Sequence, residues 1–487
     1  MAVLQVRMHN TLSGKIEDFC PLNGNRANIY VCGITPYDKS HLGHARTLVS
    51  FDIIRRWLIH KGYDVSYAQN ITDIDDKIIR RAKEKGMLPL ELAAKYGEES
   101  ETEFERLGIK KPDHSPKVSD FIPKIISLIS KIEERGFAYR TESGVYFDVA
   151  RFKGYGKLSG QNSEGLKAGA RIEVDDKKRS PQDFALWKFG EEKGATFDSP
   201  WGKGRPGWHI ECSAMAISLL GDTIDIHGGA RDLVFPHHEN EIAQSEAATG
   251  KPFARYFVHT GFLTVGGEKM SKSLGNFITI EKALEKFPAQ HIRMLFALSH
   301  YRSPMDFSEE ATSAAGNSLR TLHSAISASK SYSSKDGGSQ SLLSELERAE
   351  KGFSERMDDD FDTPGALSAL FPLAKKISGA CSEGGYPAQE VRMAGERLES
   401  LLSIINLAPS KEERPDSAKI AGLCERFGVL AGGSESESVE NLIEVRNEAR
   451  GKRDFALSDE IRLALDSAGI VIEDRRDGTT MWRKKQP

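Results

Sequence analysis

The strongest constraint on the fold is a strand–helix–strand pattern near the amino terminus. Residues 28–33 (NIYVCG) form a short apolar run, and residues 42–62 repeat apolar side chains at helical spacing until Gly62 ends the pattern. Alternating residues at 64–69 (DVSYAQ) begin a second strand. Two strands joined by a helix at this spacing run parallel, with a right-handed crossover. The sequence therefore predicts an α/β fold built on a Rossmann-like parallel sheet.

The rest of the chain has different patterns of apolar residues from this amino-terminal part. With 487 residues, the chain is too long for a single core. Residues 110–200 combine one long helix pattern with several short strands, which indicates an insertion. Strand and helix patterns return between 223 and 265, and residues 308–407 are almost entirely helical in pattern. Near the end, residues 439–449 form one clear helix pattern in a small final unit.

Composition excludes several classes of protein. No apolar run approaches the roughly 18 residues that a membrane span needs, and the first residues lack the apolar core of a secretory signal. The five cysteines are scattered and odd in number, which favours a reducing cytoplasm over a disulfide framework. The formal charge of −4 gives no hint of a polyanionic partner, although nucleic-acid binding needs only a basic patch.

Two histidines mark the start of the first predicted helix. His41 and His44 stand where the first strand gives way to that helix, which is where open α/β sheets bind ligands. A helix N-terminus favours phosphate oxygens, and Gly43 would let a ligand approach the backbone. Imidazole donors here could stabilise charge on a phosphate. Taken alone, the spacing favours a helix start that happens to hold two histidines.

A glycine-bordered basic loop lies far downstream, at residues 266–275 (GGEKMSKSLG). Backbone amides and the ammonium groups of Lys269 and Lys272 suit a triphosphate, although the segment fits a solvated surface loop equally well. The combination of a strand-end HLGH with a downstream KMSKS resembles the paired signature of class I aminoacyl-tRNA synthetases. That resemblance implies ATP as a substrate, with Mg²⁺. It implies catalytic roles for His41, His44, Lys269 and Lys272, and ATP binding by these four together with Gly43 and Ser271.

The resemblance narrows to cysteinyl-tRNA synthetases over nearly the whole chain. The matching runs include YVCGITPYD, NITDIDDKII, GWHIECSAM, FPHHENEIAQSE, HYRS, MDDDFDTP and GTTMWR. Ser40 and Phe455 depart from the family pattern, and neither is expected to touch the chemistry. The resemblance implies that cysteine is activated as an adenylate and then loaded onto tRNA(Cys).

The same resemblance implies one zinc ion per chain, with the ligands Cys32, Cys212, His237 and Glu241. Local spacing agrees in part, because His237 and Glu241 are four residues apart and project to one side of a helix start. Zinc binds a soft thiolate far better than a neutral hydroxyl. The substrate sulfur would be an added ligand, so the metal would separate cysteine from serine without an editing domain.

The resemblance also implies that five residues surround the substrate cysteine: Gly33, Thr72, Trp208, His227 and Asp232. Trp208 and His227 would close the wall of the pocket, and Asp232 would receive the amino group. Core packing is the alternative role for Trp208.

Three carboxylates, those of Asp73, Asp75 and Asp76, could form a metal cluster. We interpret them instead as residues that cap and orient the helix that follows them, because an Asp that precedes a helix commonly accepts hydrogen bonds from its first N–H groups.

The carboxy-terminal part resembles the tRNA-reading end of these enzymes. Arg446, Arg450, Arg453 and Trp482 combine basic and aromatic side chains, as clamps for unpaired bases do. The alternative is a salt-bridged helix with a solvated tail. The resemblance implies a catalytic domain in two halves (1–109 and 201–260), the connective insertion (110–200), a stem-contact region with the KMSKS loop (261–307), a helical anticodon-binding bundle (308–410) and a small anticodon-recognition domain (411–487).

Two other functions remain possible from the residues. A cysteine–amino-sugar ligase of mycothiol synthesis shares the catalytic domain, but such chains lack the end module that residues 441–487 resemble. A non-catalytic synthetase-like RNA-binding protein would not need intact HLGH and KMSKS sequences with four zinc ligands. The sequence thus favours a cytoplasmic, monomeric ligase with tRNA(Cys), L-cysteine and ATP as partners and no membrane association.

Overall fold

The computed structural model describes residues 6–160, 177–270, 276–333, 338–409, 417–430, 432, 435–452, 454–474 and 480–484. The chain divides into two compact units, Met1–Ala408 and Pro409–Pro487. The strands of the described residues are β1 Arg7–Asn10, β2 Lys15–Asp18, β3 Arg26–Ile34, β4 Asp64–Ile71, β5 Ala138–Arg140, β6 Gly144–Phe147, β7 Phe184–Phe189, β8 Gly204–Pro206, β9 Ile224–Ala230, β10 Ala254–Thr260, β11 Leu263–Val265, β12 Glu268–Lys269, β13 Met305–Phe307, β14 Ile470–Asp474 and β15 Thr480–Lys484.

The α-helices of the same residues are α1 Leu42–His60, α2 Asp76–Lys85, α3 Pro89–Arg106, α4 Ile122–Glu134, α5 Trp208–Leu220, α6 Glu239–Thr249, α7 Ile280–Lys286, α8 Ala289–Ala297, α9 Glu309–Ser331, α10 Leu343–Asp358, α11 Thr363–Glu383, α12 Ala388–Ile404, α13 Ser417–Arg426, α14 Glu435–Gly451 and α15 Phe455–Ser467. None of these helices is both long enough and apolar enough to cross a membrane.

A four-stranded parallel sheet lies at the centre of the first unit, in the order β10-β9-β3-β4. The predicted parallel α/β fold is therefore confirmed. Most of β3 is buried, which explains why its sequence is a continuous apolar run rather than an alternation. The chain passes from β3 to β4 on one side, whereas β9 pairs on the other side. This reversal of strand order leaves a crevice at the carboxyl ends of β3 and β9, where such sheets bind ligands.

A separate antiparallel sheet has the order β5-β6-β7-β8, and its last strand, β8, lies beyond the predicted insertion of residues 110–200. The apolar run at 257–265, which looks continuous in sequence, is divided between two sheets. It leaves the parallel sheet at Gly261, whose N–H donates to the carbonyl oxygen of Tyr301. Beyond this point, β11 pairs with β12 and β13 instead.

The acidic run of MDDDFDTP lies at the joint between the helical bundle and the α/β core. The Asp358 carboxylate accepts hydrogen bonds from Trp57 Nε1 at 3.1 Å and Lys61 Nζ at 2.9 Å. Asp360 accepts from Tyr301 Oη and Arg302 Nε, both at 2.6 Å. These carboxylates therefore hold protein groups together, and the motif has a structural role within the first unit.

The second unit contains more helix than the single one that the sequence pattern indicated. Its described residues form α13, α14 and α15 and the antiparallel hairpin β14–β15. Asp454 caps α15 through Leu457 N, and Ile461 and Leu465, four residues apart, are buried. A short amphipathic helix of this kind depends on packing against its neighbours more than on propensity.

Candidate active site and metal centre

The crevice residues of β3 and β4 are fixed by an irregularity in the pairing of these two strands. The register shifts between Val31 and Ile34, so Cys32 and Gly33 lie at the bulge. Gly33 N donates to Asn70 Oδ1 at 2.9 Å. A Cβ atom on residue 33 would lie 1.7 Å from the Asn70 carbonyl oxygen, so only glycine fits. Thr72 is buried beside it, with its hydroxyl accepting from Asn70 Nδ2 at 3.0 Å.

The four predicted metal ligands come together in the structure. One ligand atom from each of Cys32, Cys212, His237 and Glu241 lies within 4.8 Å of all the others, and all four residues are buried. The two Sγ atoms are 3.8 Å apart, and Glu241 Oε1 lies 3.5 Å from Cys32 Sγ and 3.0 Å from His237 Nε2. Thiolate, imidazole and carboxylate are all ligands that zinc accepts.

The charge balance of this centre suits a cation. Hydrogen bonding from Cys32 lowers the pKa of Cys212. Burial alone would raise the pKa of Glu241, but His227 and His237 outweigh it and hold that pKa well below its usual value. Burial would also lower the pKa of His237, yet Glu241 and Cys212 raise it to about 10. The surrounding groups thus favour a positive charge on His237, and a divalent cation could supply that positive charge instead.

A second set of ligands overlaps the first. Cys32, His227, His238 and Glu241 also have ligand atoms within 4.8 Å of one another. His238 Nε2 lies 3.3 Å from Cys32 Sγ. The two sets share Cys32 and Glu241, so they describe one centre that can hold one metal ion. Sequence reasoning did not single out His238, although the doubled histidine of FPHHEN was visible.

Outer histidines orient the inner ones. His209 Nδ1 lies 2.9 Å from His237 Nδ1, and His238 Nδ1 lies 2.8 Å from His259 Nε2. These contacts direct the Nε2 atoms of His237 and His238 towards the centre, as the outer partners of metal-binding histidines commonly do. Sequence reasoning missed His209 and His259, and the three-residue spacing of His209 and Cys212 on α5 was the available signal.

Two of the residues predicted to surround the substrate cysteine, His227 and Trp208, contact ligands of this centre. His227 is fully buried and is paired across the strands with Tyr30. Trp208 is 38% exposed, and its ring centroid lies 4.3 Å from that of His237, so a partly exposed ring packs on one of the ligands. Asp232 lies in the short turn after β9, at the same edge of the sheet.

The HLGH histidines are held by the start of α1. His41 is the N-cap, and its Nδ1 accepts from Gly43 N at 3.0 Å. The rings of His41 and His44 stack, with centroids 3.8 Å apart. A Cβ atom on residue 43 would lie 2.9 Å from the His41 ring, so this close approach favours glycine. Burial, together with His41 and Lys77, holds the pKa of His44 well below its usual value, so it is a neutral donor or acceptor.

The backbone that follows the KMSKS segment contacts HLGH. Leu42 N donates to Ile278 O at 3.1 Å, and His41 forms a β-bridge with Thr279. On the other side of the loop, the backbone of Lys269 belongs to β12. Ser271 and Lys272 lie outside the described residues.

The carboxylates of the three aspartates after β4 are bound by other groups of the protein. Asp75 caps α2, accepting from Lys77 N at 2.7 Å. Asp73 accepts from Ser119 N at 3.0 Å, and Asp76 binds Lys188 and Arg205. These contacts agree with our interpretation of the run as capping and orienting residues, because each carboxylate is bound to a protein group.

The predicted tRNA contacts occupy different environments in the second unit. Arg446 is buried, and both of its terminal nitrogens lie 2.8 Å from the oxygens of Asp474, so it ties α14 to β14. Arg450 also binds Asp474 but is about half exposed. Trp482 lines an open groove with Thr480, Met481 and the carboxylates of α14. Arg453 lies outside the described residues.

Three family models match the chain along most of its length. They are the catalytic domain of class I (C) tRNA synthetases at residues 18–317, the DALR domain at 352–408 and the anticodon-binding domain of cysteinyl-tRNA ligases at 433–483. The fold also resembles methionyl-tRNA synthetase of Mycobacterium tuberculosis bound by methionyl-adenylate. That match has a TM-score of 0.59 at 16% identity and covers 83% of this chain and 94% of the other.

Full-length relatives are much more similar. The cysteine–tRNA ligase of Geobacter sulfurreducens is 45% identical, and that of Heliobacterium modesticaldum is 47% identical. Each match covers 99% of this chain and all of the relative. Identity at this level over the whole length, a catalytic-domain match across the buried Cys/His/Glu centre and HLGH, and an anticodon-domain match at the end all agree. The chain belongs to the cysteine–tRNA ligase family of class I aminoacyl-tRNA synthetases.

Proposed function

We propose that this protein activates L-cysteine with ATP and transfers it to tRNA(Cys). The observation that carries the proposal is the buried Cys/His/Glu centre in the same α/β core as the HLGH helix start. Such a centre gives a pocket that can recognise a thiol, and HLGH gives donors for a phosphate. Together they can bind both reactants of adenylate formation, cysteine and ATP.

We infer that the metal is zinc and that Cys32, Cys212, His237 and Glu241 hold it. Two thiolates make this set softer than the overlapping one, which favours zinc. When bound, zinc would take the substrate sulfur as a thiolate and so discriminate against the hydroxyl of serine. Around it, Gly33, Thr72, His227 and Asp232 would shape the cysteine pocket, and Trp208 would cover its mouth.

Activation follows from the histidines and the basic loop. His41 Nδ1 accepts from the backbone, so in the neutral ring Nε2 carries the proton and can donate to a phosphate oxygen. Neutral His44 can donate beside it. We propose that Lys269, Ser271 and Lys272, with Mg²⁺, bind the triphosphate as the cysteine carboxylate attacks the α-phosphate in line and pyrophosphate leaves. The terminal hydroxyl of tRNA then attacks the adenylate carbonyl and releases AMP.

The second unit supports tRNA reading through its groove. Trp482 offers a face on which an unpaired base can stack. Glu440, Glu444 and Glu448 lie one turn apart along α14 and line the same groove. Carboxylates repel phosphates but accept hydrogen bonds from amino groups such as cytosine N4, so the groove suits base edges. We propose that Arg450, Arg453 and further basic groups contact the backbone of the RNA, and that the protein acts as a cytoplasmic monomer.

ATP–pyrophosphate exchange across a panel of amino acids tests the reaction class and the substrate together. Cysteine alone should support rapid exchange, and serine should be slower by roughly 10⁴-fold. Exchange with a different amino acid, or none at all, would contradict the proposal. In a second step, transfer of activated cysteine to an amino sugar rather than to tRNA would identify the mycothiol-type ligase instead.

A further inference from the structure

Tyr30 is buried beside the metal centre, on the same strand as the ligand Cys32. Its side chain has no solvent exposure, and its Oη atom has no hydrogen-bond partner of ordinary geometry among the described residues. Buried hydroxyl groups are nearly always paired, so an unpaired one in a described core needs an explanation.

The position of Tyr30 shows where its hydroxyl can find a partner. Tyr30 and Cys32 are two residues apart on β3 and so share one face of the strand. The Tyr30 ring stacks on His227, its partner across the strands, with centroids 5.6 Å apart and planes at 21°. Burial, and after it the nearby Cys212, Cys32 and Glu241, raises the pKa of Tyr30 well above its usual value. His227 Nε2 in turn lies 3.9 Å from Cys32 Sγ and 3.2 Å from Glu241 Oε2, so the Tyr30 ring packs on a residue that contacts two of the ligands.

A hydrogen bond within the centre must change when a metal binds. The Cys32 thiol now donates to Cys212 Sγ across 3.8 Å. Cysteines bind metals as thiolates, so the Cys32 proton leaves on metal binding and that hydrogen bond is lost. Cys212 Sγ can then accept from a different donor, and the buried hydroxyl of Tyr30, on the strand that carries Cys32, is available for that role.

We propose that Tyr30 donates a hydrogen bond to the Cys212 thiolate in the zinc-loaded protein and thereby orients this ligand. Tyr30 is a positioning residue, since it acts on the metal and the substrate sulfur only through Cys212. The inference rests on the zinc centre proposed above. His209 has the corresponding position beside His237, so one thiolate and one imidazole would each have an outer partner.

Tyr30→Phe in the full-length protein tests this directly, because it removes only the hydroxyl and keeps the stacked ring. The matched control is Tyr67→Phe, since Tyr67 is also buried in this sheet but donates to Gln69 Oε1 at 3.4 Å, away from the ligands. Zinc affinity, measured by competition with a chelator, should fall roughly 10-fold in Tyr30→Phe and stay unchanged in Tyr67→Phe. In cobalt-substituted protein, the thiolate-to-metal charge-transfer band should move to lower energy only in Tyr30→Phe.

Zinc affinity and a cobalt spectrum equal to those of the unchanged protein would overturn the role of Tyr30 while leaving the centre intact. Failure of the unchanged protein to bind zinc would instead contradict the proposed centre. If Tyr30→Phe does not fold, the ultraviolet difference spectrum of the unchanged protein decides. Zinc loading should shift a tyrosine band to the red as the hydroxyl gains an anionic acceptor, and the absence of that shift would overturn the proposal.

Discussion

The N–H of Ile280 donates to the carbonyl oxygen of Ser40 at 3.0 Å, which ties the residue before HLGH to the segment after KMSKS. The Ser40 hydroxyl is buried and lies 2.8 Å from the Ser100 hydroxyl of α3. Ser100 donates its own proton to Tyr96 O at 2.7 Å, so Ser40 is the donor of the pair. The start of α7, which follows the KMSKS segment, is thus tied through Ser40 to the residue before HLGH and to α3, although it lies more than 200 residues beyond the histidines in sequence.

Lys272 should matter for chemistry rather than for cysteine binding. We expect Lys272→Ala to lower the rate of adenylate formation roughly 100-fold or more, because one preorganised charged donor to the triphosphate is lost. Binding of cysteine should persist, since the metal centre does not include this loop. Pyrophosphate exchange and equilibrium binding of cysteine measure the two effects. Lys286→Ala, on the surface of α7, is the control, and equal losses in binding and in rate would show that Lys272 has a different role.

Cys212 should be needed for the metal. In Cys212→Ser, a hydroxyl replaces a soft thiolate, so we expect zinc content to fall from about one ion per chain to nearly none, with loss of cysteine activation. Elemental analysis and pyrophosphate exchange on the same samples check this. Cys381→Ser, at a free cysteine on α11, should retain both properties. Active protein that contains no zinc would contradict the proposed selection of the thiol.

The second unit should be needed for tRNA but not for activation. A protein ending near residue 410 keeps the whole first unit, so its pyrophosphate exchange should remain nearly unchanged. Its charging of tRNA(Cys) should fall, and fall further as salt increases, because fewer phosphate contacts remain.

Changes to the GCA anticodon provide the matching test with the full-length protein. Each base change should reduce charging to a similar extent, and Trp482→Ala should do the same without affecting exchange. If charging of tRNA(Cys) is unchanged both by the truncation and by changes to the anticodon, the second unit does not read the tRNA.

Glu103 should make the stability of the first unit depend on pH. Its carboxyl group is buried on α3, and burial, with Glu281 and Glu99 against the opposing charge of Lys39, raises its pKa to about 7. Since this pKa is higher folded than unfolded, folding is penalised fully above about pH 7, partly between about pH 4.5 and 7, and not below. Glu103→Gln should therefore stabilise the unit by about 1–2 kcal/mol at pH 8.5, after allowance for partial solvation.

Thermal unfolding of Glu103→Gln at several pH values checks the sign. The increase in Tm at pH 8.5 should shrink as the pH approaches 5, where Glu103 is protonated in the folded protein. Glu105→Gln, exposed two residues further along α3, should show little change at either pH. A Tm gain in Glu103→Gln that is larger at low pH would mean that the Glu103 carboxylate is stabilised, not penalised, by its surroundings.

The sequence by itself determined the elements that rest on local patterns. The apolar run of β3, the helical spacing of α1 and the alternation in β4 predicted the parallel sheet. A strand that is buried on both faces has a continuous apolar run, whereas a strand that is buried on one face alternates apolar and polar residues. His41 and Gly43 could be assigned to a helix start for the same reason. His237 and Glu241 could be predicted to share a side, since four residues make one helical turn.

Only the tertiary structure decided which distant groups share one environment. Nothing local links Cys32 to Cys212, 180 residues later, because their contact depends on α5 crossing the end of β3. Tyr30 reads in sequence as an ordinary strand residue, and Arg446 as a surface cation. Folding buried the first beside thiol ligands and paired the second with Asp474, because burial and charge pairing depend on what packs opposite a side chain. The periodicity of a sequence predicts which face of a helix or strand a side chain lies on, but it does not predict which side chain packs opposite it.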